Sequence, residues 1–279
     1  VRETGLRLMR WAKARQVPVF LAGHVTKDGS VAGPRVLEHM VDAVTYLESQ
    51  EFGAFRVLRG AKNRFGSTAE VGVFEMTGRG LAEVSDPSQV LLSQRYERAI
   101  GTALVPVLEG TRPLLLEVQA LTSPSQLPAP RRVANGVDFN RMLMLAAVAS
   151  RRAGLELSGQ DIIVSVAGGL SVREPAADLA VVLAIASSLR NQPLDPHLVA
   201  FGEVGLSGEV RSVPQAPRRI AEALRLGLDK CIVPESGLEI GNEPEGIHLA
   251  PVRTVRQAIQ GALGTPRSRG EAAEIQDAG

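Results

Sequence analysis

At 279 residues, 44% hydrophobic and 22% charged, the chain has the composition of a globular protein and the length for two domains with their own cores. A formal net charge of +1 excludes a wholesale polyanion binder, so any nucleic-acid contact must come from local patches. One cysteine, Cys231, excludes a disulfide framework or a four-cysteine zinc site within these residues; beside Ile232 and Val233 it reads as a small buried strand residue.

The first residue is Val1, and Leu6, Met9 and Ala12 recur at helical spacing over 1–15, with Leu8 and Trp11 on the flank. This is a charged amphipathic helix without the continuous apolar core of a signal peptide. No apolar run approaches the roughly 18 residues of a membrane span. A cytoplasmic protein with no membrane partner is expected. Pro18 ends the helix, and Val19-Phe20-Leu21-Ala22 predicts a buried parallel strand, the second half of a helix–strand unit. A polar, glycine-containing loop over 23–34 follows, at the strand end where open α/β sheets bind ligands. Strands are predicted at 43–47 and 55–59, a turn at 62–68 and a strand over 69–76, with Leu81 closing the block. Ser85-Asp86-Pro87-Ser88 marks the domain boundary, giving modules at 1–84 and 85–264.

In the second module, strands at 101–108 and 114–121 flank the turn Gly110-Thr111-Arg112-Pro113, and a proline-rich loop spans 123–132. Asp138 and Gly154 bracket a helix over 139–153 as start and stop signals. Strands at 162–166, 199–202 and 230–233 alternate with helices at 176–189, 218–226 and 255–263. The polar tail 265–279 reads as disordered.

Nowhere in these residues is there a Gly-x4-Gly-Lys-Ser/Thr loop to cradle nucleotide phosphates; Gly168-Gly169-Leu170-Ser171 is a glycine turn without the lysine. Two other strings stand out. One is Gly23-His24-Val25-Thr26-Lys27-Asp28-Gly29, continuing through Ala32-Gly33-Pro34-Arg35 to Glu38-His39; the other is Lys62-Asn63-Arg64-Phe65-Gly66. By spacing alone, the Lys-x-Arg pair reads as solvated surface and His24 as a polar loop residue. In order, however, these strings and Gly72-Val73-Phe74-Glu75-Met76 resemble the bacterial RadA family of RecA-related recombination ATPases, a likeness that continues almost to Gly264. The family's four-cysteine zinc finger and phosphate loop are both absent from these residues. The chain is therefore expected to be an excerpt matching the C-terminal part of such a protein, without zinc and without ATP binding of its own.

The resemblance implies an α/β fold: the C-terminal part of a RecA-like ATPase core, then a Lon-protease-like α/β domain. It implies a DNA-dependent ATPase that drives branch migration in recombinational repair, using ATP and Mg2+ in the full-length protein. Lys62 and Arg64 match cations that such rings present to a neighbouring subunit's ATP, where they would stabilise charge on the phosphoryl group. His24 matches a residue coupling nucleotide to DNA. Lys27 and Arg35 lie in the matching DNA-binding loop, where contacts to single-stranded backbone would be salt-dependent and sequence-independent. The implied partners are single-stranded and branched DNA, a RecA-type recombinase, and further copies in a homo-hexamer.

From about Gly101 to Leu263 the chain resembles the Lon protease domain family. The landmarks are residues 164–169, Glu174-Pro175-Ala176-Ala177-Asp178 and the run Phe201-Gly202-Glu203 through Val210. Active members use a serine at the helix start and a lysine that takes its proton. Here the serine position is Ala176, and the lysine position falls close to Pro217 in a segment with no lysine. Arg218 and Arg219 stay protonated and cannot act as bases. Ser171 and Ser207 sit in glycine-containing turns without a nearby base, and no metal-ligand spacing appears. Serine-lysine peptidase activity is therefore disfavoured, leaving ring assembly and DNA contact. Of the paired arginines, Arg131 and Arg132 in the proline-rich loop rank first as phosphate contacts, ahead of Arg151-Arg152 and Arg218-Arg219. The alternative to a motor fragment is a non-enzymatic DNA-binding and oligomerisation module.

Overall fold

The structure is a computed structural model that describes residues 2–23, 36–49, 55–93, 95–96, 98–237 and 245–264. Its N-terminal region begins with α1 (Arg2–Arg15) and the short α2 (Val36–Met40). Four strands follow in sequence, β1 (Ala43–Ser49), β2 (Phe55–Asn63), β3 (Val71–Thr77) and β4 (Gly80–Glu83), and pair antiparallel in that order. The period-2 alternation of Phe55, Val57 and Val73 explains the packing, for these residues are buried while their neighbours are less so.

The buried strand expected at Val19–Ala22 is not formed. Residues 17–23 have no regular structure, and Phe20 is 94% exposed. An apolar run becomes a doubly buried strand only where strands flank it, and among the described residues none pairs with this one.

A seven-stranded sheet organises the rest: β5 (Thr102–Glu109), β6 (Arg112–Pro124), β7 (Arg132–Asn135), β8 (Gln160–Val166), β9 (Leu198–Ala200), β12 (Lys230–Pro234) and β13 (His248–Val252). Its order is β13-β12-β9-β5-β6-β8-β7. β5 and β6 form an antiparallel hairpin, β6 pairs antiparallel with β8, and the remaining neighbours are parallel. A small hairpin, β10 (Glu203–Val204) with β11 (Val210–Arg211), stands apart. The chain is thus a mixed α/β protein with a parallel-rich main sheet.

Unbroken burial of Thr102 through Val107 and of Leu114 through Val118 requires cover on both faces. α5 (Asp178–Leu189), buried from Asp178 through Ser187, packs on β5 and β6 and against α4 (Phe139–Ala153) and α7 (Val255–Leu263). α6 (Ala216–Arg225) packs on the same two strands, and α3 (Pro87–Ser93) packs on β6. The caps of α4 form as the sequence predicts: the Asp138 carboxylate accepts from Arg141 N, and Gly154 adopts the left-handed conformation. Thr254 and Gln257 close a reciprocal capping box on α7.

The proposed boundary at residues 85–88 is where the chain leaves β4 and docks on the second module. Pro87 and Ser88 are buried, and the Ser88 hydroxyl donates to Glu222 Oε1 at 2.8 Å while accepting from Leu115 N at 2.9 Å. Phe55, Val57 and Val73 belong to the same continuous core as β5 and β6. The two regions therefore share apolar packing. Among the described residues no helix is long and apolar enough to cross a membrane.

Candidate functional site

The Lys62–Gly66 string straddles the end of β2 and the turn after it. Lys62 is still on the strand, and its ammonium donates to the carbonyls of Glu38 (2.8 Å) and His39 (3.2 Å), tying β2 to α2. The Asn63 side chain closes the turn internally: Oδ1 accepts from Phe65 N at 3.2 Å and Nδ2 donates to Ser67 O at 3.2 Å. A short polar side chain bonding its own backbone is the usual device of such turns. Arg64 and Phe65 project from this frame. The Arg64 side chain is 66% exposed and reaches Asp42 only at 3.4 Å, and Phe65 is 82% exposed. Lys62 is occupied with main-chain oxygens. What the turn presents is one extended cation beside an exposed ring. His24, Lys27 and Arg35 lie outside the described residues.

The second candidate surface is the loop before β7. Asp161 pins it by accepting from Arg131 N at 2.7 Å, and hydrogen bonding by Ser125 and that main-chain N–H holds its carboxyl below the ordinary range. The predicted loop is shorter than its sequence limits, because β6 runs to Pro124 and β7 starts at Arg132. Its two arginines differ in use. Arg132 turns inward and donates to the carbonyls of Arg131, Gln160 and Leu157, whereas the Arg131 residue is exposed.

The two degenerate peptidase positions lie near β5. Ala176 sits in a 3-10 turn, Pro175–Ala177, just before α5, and is 2% exposed. Pro217 occupies the first turn of α6. Two residues from each lies a charged partner, Glu174 and Arg219, and these meet in a bidentate pair at 2.8 and 2.7 Å. Arg219 also donates to Pro106 O at 2.7 Å and Pro214 O at 3.1 Å, stands 6.0 Å over the Phe201 ring, and is 1% exposed. Glu174 accepts from Leu108 N at 2.7 Å. Every polar group there is matched to another, as burial of a charge demands. This pair was missed in the sequence. Its only signal is that both charged residues flank the altered positions.

A cleft of about 210 Å³ opens beside Ala177, lined by Asp138, Arg141, Arg173, Glu174 and Asp178 among apolar residues. Burial pushes the Asp178 carboxyl above its ordinary value, although Arg141 Nε donates to it at 3.0 Å and Val204 N at 3.0 Å. No serine, cysteine, lysine or histidine lines the cleft. Its chemistry holds a carboxylate in place and offers no hydroxyl, thiol or amine nucleophile. Among the described residues no group of three or more His, Cys, Asp or Glu is placed to hold a metal ion.

Comparison with known proteins gives two results. Residues 134–237 match the family described as subunit ChlI of Mg-chelatase, over a stretch that begins in β7 and ends after β12. Much longer matches are to DNA repair proteins named RadA. That of Bacillus subtilis (strain 168) is 48% identical over 264 residues, covering 95% of this chain and 58% of the relative. That of Synechocystis sp. is 48% identical over 283 residues, covering 99% and 55%, and that of Streptococcus pneumoniae 47% over 260 residues, covering 93% and 62%. The chain thus spans somewhat over half the length of these relatives. Identity near one half, sustained from the exposed 62–66 turn to the last helix, shows that the chain belongs to the RadA family and corresponds to its C-terminal part.

Proposed function

We propose that this chain is part of a DNA-dependent ATPase that acts in recombinational DNA repair by driving branch migration, with a non-proteolytic Lon-like module as scaffold. Its relatives bear the name of DNA repair proteins. The observation that carries the reading is the exposed Arg64 guanidinium, held on a turn that Lys62 and Asn63 fix from behind. A cation so displayed suits delivery to a nucleotide bound by a neighbouring copy, where it would meet phosphoryl charge in trans. Lys62 would share that role or orient the turn. ATP and Mg2+ would be held by parts of the full-length protein that contain a phosphate loop. The partners in this reading are a homo-hexameric ring, single-stranded and branched DNA contacted through Lys27, Arg35 and Arg131, and a RecA-type recombinase, all in the cytoplasm. His24 would couple nucleotide to DNA.

Arg64→Ala in the full-length protein is the test. DNA-stimulated ATP hydrolysis is expected to fall by about 10³-fold while ATP binding stays largely intact. Unchanged hydrolysis would remove the trans-acting role.

A second reading is favoured by one feature, the missing phosphate loop: these residues alone serve as a DNA-binding and oligomerisation module. ATP hydrolysis by the isolated chain separates the two. A serine-lysine peptidase finds no support, because a methyl group stands at Ala176 and a ring at Pro217, and no serine, cysteine or lysine lines the adjacent cleft.

A further inference from the structure

The tip of the β5–β6 hairpin grips both flanks of the 62–66 turn. Upstream, the Glu109 carboxylate accepts from Arg59, which lies three residues before Lys62 on β2 and is also paired with Glu48 of β1. Downstream, Thr111 N donates to Ala69 O at 2.8 Å, and its hydroxyl to Glu70 Oε1 at 3.2 Å. The approach is as close as backbone allows. Gly110 has φ +63°, and a Cβ there would lie 1.7 Å from Ala69 O. The two flanks also touch each other, since a Cβ on Gly60 would meet Thr68 Cα at 3.3 Å.

The same hairpin is held from its other side by the degenerate peptidase neighbourhood. Glu174 binds Leu108 N, Arg219 binds Pro106 O, and Arg218 donates to Thr111 O at 3.3 Å. A set of polar contacts therefore runs from the elements bearing Ala176 and Pro217, along β5, to Arg59, Ala69 and Glu70 on either side of the turn that displays Arg64. The links at Glu174, Arg219 and Thr111 N are 2.7–2.8 Å, those of Arg218 and the Thr111 hydroxyl are longer at 3.3 and 3.2 Å, and the Arg219 end is almost wholly buried, so the set is stiffest there.

We propose that the altered peptidase site has become a strut, in which Glu109, Gly110 and Thr111 are positioning residues that fix the orientation of Arg64. The proposal rests on the trans-acting reading of Arg64 given above. Positioning matters because a cation displaced by an ångström from developing charge loses most of its effect.

The experiment uses the full-length protein with Glu109→Ala, Glu109→Gln and Thr111→Val, and Arg64→Ala beside them. Hydrogen exchange at residues 63–69 is expected to quicken by about tenfold in Glu109→Ala and less in Glu109→Gln, which still accepts a bond from Arg59. In the same variants kcat for ATP hydrolysis is expected to fall at least about threefold with KM unchanged, in the same graded order. Gly110→Ala, which forces the hairpin off Ala69, should reproduce both effects if it folds; the polar variants carry the test if it does not. Exchange at 63–69 unchanged in Glu109→Ala and Thr111→Val would overturn the strut, as would quickened exchange with unaltered kcat while Arg64→Ala abolishes turnover. If Arg64→Ala itself leaves turnover intact, the trans-acting reading fails, and the assignment of Glu109, Gly110 and Thr111 as positioning residues falls with it.

Discussion

Arg219 Nη1 and Nη2 lie 2.8 and 2.7 Å from the two carboxylate oxygens of Glu174, a parallel two-bond pair that closes the space between α5's entry turn and α6. The pair joins residues two positions from Ala176 and from Pro217. Fork-to-fork geometry with one partner 1% exposed makes it a structural element. Arg219→Leu should destabilise the second module by about 3–5 kcal/mol, because it leaves the Glu174 charge and the Pro106 carbonyl without their donor. Chemical denaturation measures this as a lowered midpoint, and a loss below about 1 kcal/mol would show the pair to be ornamental.

The contact between β4's end and α6 predicts an acid response. Arg225 donates to both Asp86 oxygens, at 2.6 and 3.1 Å, and these bonds hold the Asp86 carboxyl below its ordinary value of 3.8. A lowered folded value means stability that is present above the ordinary aspartate range and is lost as pH falls through the folded value. After solvent screening the amount is about 0.5–1 kcal/mol. Asp86→Asn should lower stability by that amount at pH 7 and by less as pH falls through the folded value of Asp86. An equal loss at every pH would contradict the assignment.

Cys231 lies on β12 with no exposed surface, and burial pushes its thiol well above the ordinary range. The thiolate is the reactive form. Native protein at pH 8 should therefore take up no alkylating reagent over hours, and unfolded protein should react fully, one adduct per chain by mass. Rapid native labelling would place the residue in a more open setting.

Arg131 and Arg132 should separate cleanly by substitution. Arg132→Ala removes donors from three carbonyls and is expected to cost about 1–2 kcal/mol of stability. Arg131→Ala should change stability by less than about 0.5 kcal/mol. If the loop contacts duplex DNA, Arg131→Ala should weaken binding at all sequences and reduce the salt slope by about 1. Filter binding over rising salt reads both quantities, and an unchanged slope would remove this loop from the DNA contact.

Much of the second module could be read from local chemistry. Asp138, Gly154 and the apolar spacing between them place α4 at the predicted residues, and α7 also forms at its predicted residues. The strands that escaped reading, β7, the β10–β11 hairpin and β13, are short or interrupted by polar residues, and only their partners in the sheet make them strands. Conversely, Val19 to Ala22 has strand composition and, among the described residues, no strand neighbours, so composition alone misplaced it. The altered peptidase positions were legible because chemistry is local: a methyl at Ala176 cannot attack a carbonyl wherever it sits. The grip of Glu109 and Thr111 on the 62–66 turn was not legible, for it joins residues some forty to fifty positions apart.

The amino-acid sequence by itself determined which reactive groups these 279 residues carry, because side-chain type limits chemistry before any folding. It also determined the long helices, whose caps and spacing are properties of neighbouring residues. Only the tertiary structure decided which charges are displayed and which are consumed: Arg64 stands in solvent, while Lys62, Arg132 and Arg219 bind main-chain oxygens. An arginine looks the same in sequence whether its donors face water or a carbonyl, and the choice is made by distant chain that folds against it.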